Sequence, residues 1–308
     1  MENKINLINR IITPLFDKLM NCNICPRNCH VNRLNDDIGY CGAKNDVVVY
    51  TSFLHTGEEP AICGRGGSGT IFFSGCSLKC EYCQNYKFSN SIVGKKLSEN
   101  ELAQTMLNLQ NRGSDNINLV TPTHYLPQIL KSLLIALKNG LNIPIIYNTS
   151  GYEKKEIIHQ LNGIIDIYLT DFKYIFDDSA KLYSKAPDYP KFCKESITSM
   201  YRPSLWNNSN NLLKQGLIIR HLVLPGQINE SISILKWIKT NVPDAITSIM
   251  FQYQPYYNSS KYSEINRKIN RQEYNIIKDL SEKLELNGWI QDFKPEEKLA
   301  GIYFKPEL

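Results

Sequence analysis

The chain has 308 residues, 42% of them hydrophobic, which suffices for one large α/β domain or two ordinary ones. A formal charge of +5, spread along the chain, gives no basic stripe and argues against nucleic acid as a partner. No stretch approaches the roughly 20 apolar residues of a membrane span. The opening Met1-Glu2-Asn3-Lys4 has neither the apolar core nor the cleavage site of a signal peptide, so the nine cysteines predict a cytoplasmic, reducing setting where thiols favour metals.

In chain order, residues 5–20 read as an amphipathic helix with Ile8, Ile11, Leu15 and Leu19 on one face, which Pro14 should kink or shorten. The segment 22–42 holds Cys22, Cys25, Cys29 and Cys41 in the pattern C-x2-C-x3-C-x11-C. Four such ligands can close a second metal site, with an Fe–S cluster, structural zinc and free thiols as the alternatives. A short strand covers 47–50, and 58–69, with Pro60 and several glycines, reads as an irregular loop. These features predict an N-terminal helix and cysteine-rich metal-binding segment over 1–65 and a core domain over 66–308.

From residue 70 strands and helices alternate. Strands are predicted over 70–74, 116–120, 143–147, 164–169, 217–224 and 245–252. Helices fall between them. Ser98 and Glu101 form a capping box, 127–139 and 153–161 end at glycines, and 177–201 is broken by prolines. Asn229 caps a helix to about residue 240, and Asn270 caps a last one over 271–286. Six βα units without hairpin signals argue an α/β fold with a parallel sheet.

Chemistry in a curled parallel sheet gathers at the C-terminal strand ends. Those ends are polar: Ser74-Gly75-Cys76, Thr121-Pro122-Thr123-His124, Asn148-Thr149-Ser150, Asp171-Phe172-Lys173 and Gln252-Tyr253. They suggest one shared pocket, although turn and cap residues also follow strands. Cys76, Cys80 and Cys83, spaced C-x3-C-x2-C, directly follow the first of these strands. Three thiolates can hold three irons of a cubane and leave the fourth without a protein ligand, whereas clusters that only carry electrons usually have four cysteines. Structural zinc is the alternative, with Cys63 or His55 as its fourth ligand.

The cysteine motif resembles that of the radical S-adenosylmethionine (SAM) superfamily. The stretch from Gly66 through Asn85, Asp171-Phe172-Lys173, and Arg220 to Gly226 resemble its pyruvate formate-lyase-activating-enzyme-related branch, over about residues 20–260. The resemblance implies a partial (β/α)6 barrel with a 4Fe-4S cluster whose open iron chelates SAM. An electron from a flavodoxin- or ferredoxin-type donor then breaks the sulfonium carbon–sulfur bond. The resulting 5′-deoxyadenosyl radical abstracts hydrogen, under anaerobic conditions, from a partner polypeptide or a small molecule. Activation of a glycyl-radical partner is the natural extension.

The resemblance also assigns Asp171 and Lys173 to the cofactor or the substrate end of the pocket, and Asn148, Ser150 and His221 to SAM. Gly66, Gly67, Gly69 and Gly75 would allow backbone amides near the cluster. The superfamily's Gly-Gly-Glu for the SAM amine is replaced by Thr121-Pro122-Thr123-His124, so Thr121 and Thr123 become the candidates there. Gly57-Glu58-Glu59-Pro60 precedes the cysteine motif and is set aside as out of order. Residue by residue, a surface ion pair, helix caps and a hydrogen-bonded core histidine are the plain alternatives. Two competing functions are an Fe–S electron carrier or sensor that never cleaves SAM, and a zinc-dependent nucleic-acid binder.

Overall fold

The computed structural model describes residues 2–293; Met1 and the end of the predicted core domain, 294–308, lie outside the described residues. Helix α1 (Glu2–Asp17) buries Ile8, Ile11 and Leu15, and Leu19 is buried just beyond it. Pro14 does not end it. Proline so near the C-terminus removes a single hydrogen bond, and burial of Ile11 and Leu15 on either side holds the face in place.

The remaining elements are β1 (Val47–His55), β2 (Ser68–Phe73), α2 (Tyr86–Ser89), β3 (Lys95–Leu97), α3 (Glu99–Asn111), β4 (Ile117–Val120) and α4 (Leu126–Lys138). They continue with β5 (Ile145–Thr149), α5 (Lys155–Gln160), β6 (Ile167–Asp171), α6 (Asp177–Ser184), α7 (Tyr189–Met200) and β7 (Leu205–Trp206). The last are β8 (Leu213–Leu222), α8 (Ile228–Asn241), β9 (Ile246–Met250), α9 (Arg271–Lys283) and β10 (Gly288–Ile290). The sheet order is β10-β9-β8-β6-β5-β4-β2-β1-β3. Strands β2, β4, β5, β6, β8, β9 and β10 are mutually parallel. The sheet stays unclosed between β3 and β10: the six βα units give the expected parallel sheet, and its open form is the partial barrel that the family resemblance implied. The capping box at Ser98 forms, and the cap expected at Asn270 is a second one, completed by Glu273. Asn229, expected as a cap, is instead the second residue of α8, after Gln227.

The main departure lies before the barrel. Strand β1 is nine residues long and runs antiparallel to β2, from Val49 opposite Phe73 to His55 opposite Ser68. Its connection, residues 56–67, is far longer than a hairpin turn, so no turn signal marks the pairing. The register crosses residue 65, and Ile8, Val47 and Ile71 belong to one continuous core. Strands β3 and β10 escape prediction because they are three residues long and begin with Lys95 and Gly288. Predicted strand 143–147 starts later, at Ile145, because Pro144 has no N–H for the ladder.

A second, smaller core explains the barrel's floor. Ile146, Ile167, Leu169, Ile218 and Ile246 pack on Ala61 and Ile62 of the 56–67 connection, which stoppers the sheet from below. Asn116 holds that stopper by donating to the Ile62 carbonyl at 2.5 Å. Among the described residues no helix is long and apolar enough to cross a membrane.

Candidate active site

A cavity of about 420 Å³, within the range of small-molecule sites, occupies the strands' C-terminal ends. Strand periodicity builds it: residues two apart share a face, so the positions following the floor's Ile146, Leu169, Ile218 and Ile246 are Asn148, Asp171, Arg220 and Ser248. Cys76, Cys80 and Cys83 line the same cavity, together with Thr121, Ser150 and Lys173.

The three cysteines lie on the loop leaving β2. Gly75 starts it at φ +88°, and a Cβ there would fall 2.6 Å from the Cys41 carbonyl oxygen, so only glycine fits. The Cys76 sulfur accepts the Leu78 N–H at 3.3 Å, and Cys83 Sγ lies 3.3 Å from Ser89 Oγ. Burial pushes the Cys80 thiol up, and the Cys83 thiol up to about 12. Thiols in that environment ionise when a metal cation binds them. Among the described residues no three His, Cys, Asp or Glu side chains converge on a point fit for a single metal ion. The zinc alternative through Cys63 or His55 therefore has no geometry, and Cys63 instead donates to the His55 carbonyl at 3.4 Å. Three cysteines lining one cavity suit a cubane, in which each takes its own iron. Gly66, expected near the cluster, packs on the Gly113 carbonyl instead.

Lys173 Nζ donates to Asp171 Oδ2 at 2.6 Å inside the cavity. Burial opposes the lysine's charge, but Asp171 and the Cys80 sulfur raise its pKa above the ordinary value. Deeper in the cavity, Arg220 donates through Nε to Glu59 Oε1 at 2.5 Å and also to the Glu58 carboxylate. Asn118 donates to Glu58 Oε1 at 3.1 Å. Against the desolvation that would raise it, Arg220 draws the Glu59 pKa below the carboxylate norm. Glu58, Glu59 and Asp171 face Arg220 and Lys173, a formal excess of one negative charge. Thr121 borders this space at φ +58°, a left-handed conformation that a β-branched residue adopts only under constraint.

The radical SAM superfamily model matches residues 70–238, more than half of the chain. The chain belongs to the radical SAM superfamily. An uncharacterized protein of Methanocaldococcus jannaschii, MJ0674, is 33% identical over 296 residues, covering 92% of this chain and 81% of its own length. The pyruvate formate-lyase-activating enzyme of Clostridium pasteurianum is 26% identical over 191 residues, covering 55% of this chain and 76% of its own.

Two of the residues considered for SAM lie outside the cavity of this radical SAM barrel. Thr123 donates its hydroxyl to Glu153 Oε1 at 2.5 Å, as Thr149 does from β5, behind the sheet. Burial raises the Glu153 carboxyl to about 7. His221 is buried, with Nδ1 2.8 Å from the Phe172 carbonyl and Nε2 2.8 Å from Ser231 Oγ. Burial lowers its pKa to about 4, so it is a neutral, hydrogen-bonded core histidine. Glu58 and Glu59 are the cavity residues that sequence order alone set aside. Their signal was a pair of adjacent acids beside the short apolar run Pro60-Ala61-Ile62 of a glycine-rich connection.

Proposed function

We propose that this radical SAM enzyme holds an open 4Fe-4S cluster on Cys76, Cys80 and Cys83 and cleaves SAM beside it. The hydrogen abstracted would come from a partner polypeptide, in the manner of a glycyl-radical activase. The observation that carries the proposal is one cavity in which three separately placed thiols face the Asp171–Lys173 pair. When bound, the cluster and SAM supply the electron and the adenosyl group that takes the hydrogen atom.

The protein's own residues bind, orient and shield. Asn148 and Ser150 offer an amide and a hydroxyl at the end of β5, where the polar groups of SAM can be fixed. Lys173 is positioned for a carboxylate and Asp171 for an amine or a ribose hydroxyl. The Glu58–Glu59–Arg220 group supplies the fixed negative potential that a sulfonium cation prefers, in place of the missing Gly-Gly-Glu. Ala61 and Ile62, buried against the isoleucines of the floor, shield the cavity from water on that side.

Support for a polypeptide substrate comes from the similarity to pyruvate formate-lyase-activating enzyme. A one-electron donor of flavodoxin or ferredoxin type completes the reaction. The test is 5′-deoxyadenosine formation by anaerobically reconstituted protein with dithionite and SAM. Lys173→Met should raise the KM for SAM by about tenfold or more, since truncating one partner of a buried pair costs on the order of 2 kcal/mol or more. Unaltered SAM cleavage in that variant would remove Lys173 from the site. A wild type that binds iron but yields no 5′-deoxyadenosine would favour an electron carrier.

A further inference from the structure

We infer that Cys22, Cys25, Cys29 and Cys41 hold a second iron–sulfur cluster, of cubane size, that delivers electrons to the Cys76–Cys83 loop. The relay role, but not the second cluster itself, rests on the function proposed above.

The segment folds so as to gather the four cysteines. Cys22 N–H donates to the Val31 carbonyl at 2.9 Å and His30 N–H to the Cys22 carbonyl at 3.0 Å, which pins the two arms together. A turn links the Cys25 carbonyl to the Asn28 N–H at 3.2 Å, and Asn28 and His30 take positive φ of 44° and 56°. Cys29 then reaches the far end of the segment. Its sulfur accepts the Tyr40 N–H at 3.2 Å, and Tyr40 precedes Cys41. Cys22, Cys25 and Cys41 are buried, and all four are free thiols.

As placed, the thiols do not form a single-ion zinc site. A structural zinc draws its thiolates to about 2.3 Å from one atom. No three of these thiols converge in that way, and in this they match Cys76, Cys80 and Cys83. A cubane with four cysteine ligands spreads the sulfurs over four corners and carries net negative charge. Cations meet that need. Arg33 is buried, holds the His124 and Lys44 carbonyls at 2.7 and 2.6 Å, and leaves its Nε without a partner. Lys154 Nζ donates to Asn23 O and Asn28 Oδ1, each at 2.6 Å.

The two cysteine groups touch through backbone. The Cys41 carbonyl packs on Gly75, the residue before Cys76. Arg27, two residues after Cys25, donates to the Ser77 carbonyl at 2.8 Å and to those of Ser184 and Lys185 at 3.0 and 2.6 Å. Its guanidinium lies 3.8 Å from the centre of the Tyr40 ring, with Lys79 5.2 Å from the same ring. An electron entering here reaches the open cluster through the protein, so a donor and a substrate need not compete for the cavity. In each transfer the donor loses one electron, the second cluster gains and then loses it, and the open cluster is reduced by one.

The test is a Cys76→Ala/Cys80→Ala/Cys83→Ala variant reconstituted without oxygen. It should retain about four iron and four sulfide per chain, no zinc, and a paramagnetic signal on dithionite reduction. Zinc, or a folded chain without iron, overturns the second cluster. Wild type offers an independent check that needs no variant: about eight iron per chain with spin–spin broadening supports the second cluster, and about four with a single-cluster spectrum overturns it. For the relay, Cys22→Ser/Cys25→Ser should slow reduction of the remaining cluster by a ferredoxin-type protein about tenfold or more, as lost docking and entry typically do. Reduction by dithionite should be unchanged. Equal slowing by both reductants, or none by either, overturns the relay.

Discussion

The loop of Cys76, Cys80 and Cys83 and the segment of Cys22 to Cys41 meet at Gly75, yet they are built differently. The first hangs from a buried strand, so its position is set by the sheet and its sulfurs face a cavity. The second has no sheet of its own; turns, positive-φ residues and cation-to-carbonyl bonds fold it around its thiols. Openness is thus a property of where the sheet ends, and closure a property of a short segment wrapped on itself. If the segment holds the cluster inferred above, it should depend on that cluster for order, while the loop should survive without one.

The largest effects should separate the two. Cys80→Ala is expected to reduce SAM cleavage to background with thermal stability little changed, because the surrounding Tyr82 and Tyr174 remain packed. Cys25→Ala is expected to do the reverse: loss of metal and of protection in 20–45 by hydrogen exchange, with dithionite-driven cleavage retained. The same outcome for both variants would erase the distinction.

The next effect concerns the cavity's charges. Arg220→Leu strands Glu58 and Glu59 in the barrel, and breaking a buried pair costs about 3–5 kcal/mol. In wild type the Glu59 pKa is lowered on folding, so its stabilisation is present above the unfolded value and is lost as pH falls through the folded one. Without the guanidinium the folded pKa moves above the unfolded value, and the sign reverses. Urea midpoints of the variant should therefore approach wild type as pH falls from 7 toward 5. A constant gap would contradict the buried-triad description.

Smaller effects belong behind the sheet. Glu153 has a folded pKa of about 7, raised by burial, so its contribution is full below the unfolded carboxylate pKa and lost as pH rises through about 7. Glu153→Gln, which keeps an acceptor for Thr123 and Thr149, should gain stability relative to wild type above that pH. His221 titrates the other way: its folded pKa is lowered to about 4, so stability falls as pH drops from about 6.5 toward 4. His221→Gln should shed part of that slope with SAM binding unaffected. A large loss of SAM affinity would return His221 to the site.

These effects also mark what the sequence could reveal. Period-two strands, the helix caps at Ser98 and Asn270, and the C-x3-C-x2-C spacing are local signals; the parallel α/β sheet with its cysteine loop was legible from them, and the partial barrel from the family resemblance. The β1–β2 pairing was not, because its partners are joined by a long connection with no turn chemistry. The same connection hid Glu58 and Glu59. They enter the cavity from below the floor, whereas chain order suggests that site residues follow the cluster motif. Thr123 and Asn148 look alike in sequence, both polar and at strand ends, but only side-chain direction decides which faces the cavity. His221 does not line the cavity for a tertiary reason, since Ser231 on α8 engages its second nitrogen.

The most direct measurement is electron paramagnetic resonance of the reduced, anaerobically reconstituted Cys22→Ser/Cys25→Ser variant, titrated with SAM carrying a nitrogen-15 amine. Only the three-cysteine cluster is then present. The account predicts a shifted spectrum and a nitrogen coupling to iron. An unchanged spectrum without such coupling, from a sample holding about four iron per chain, would contradict it.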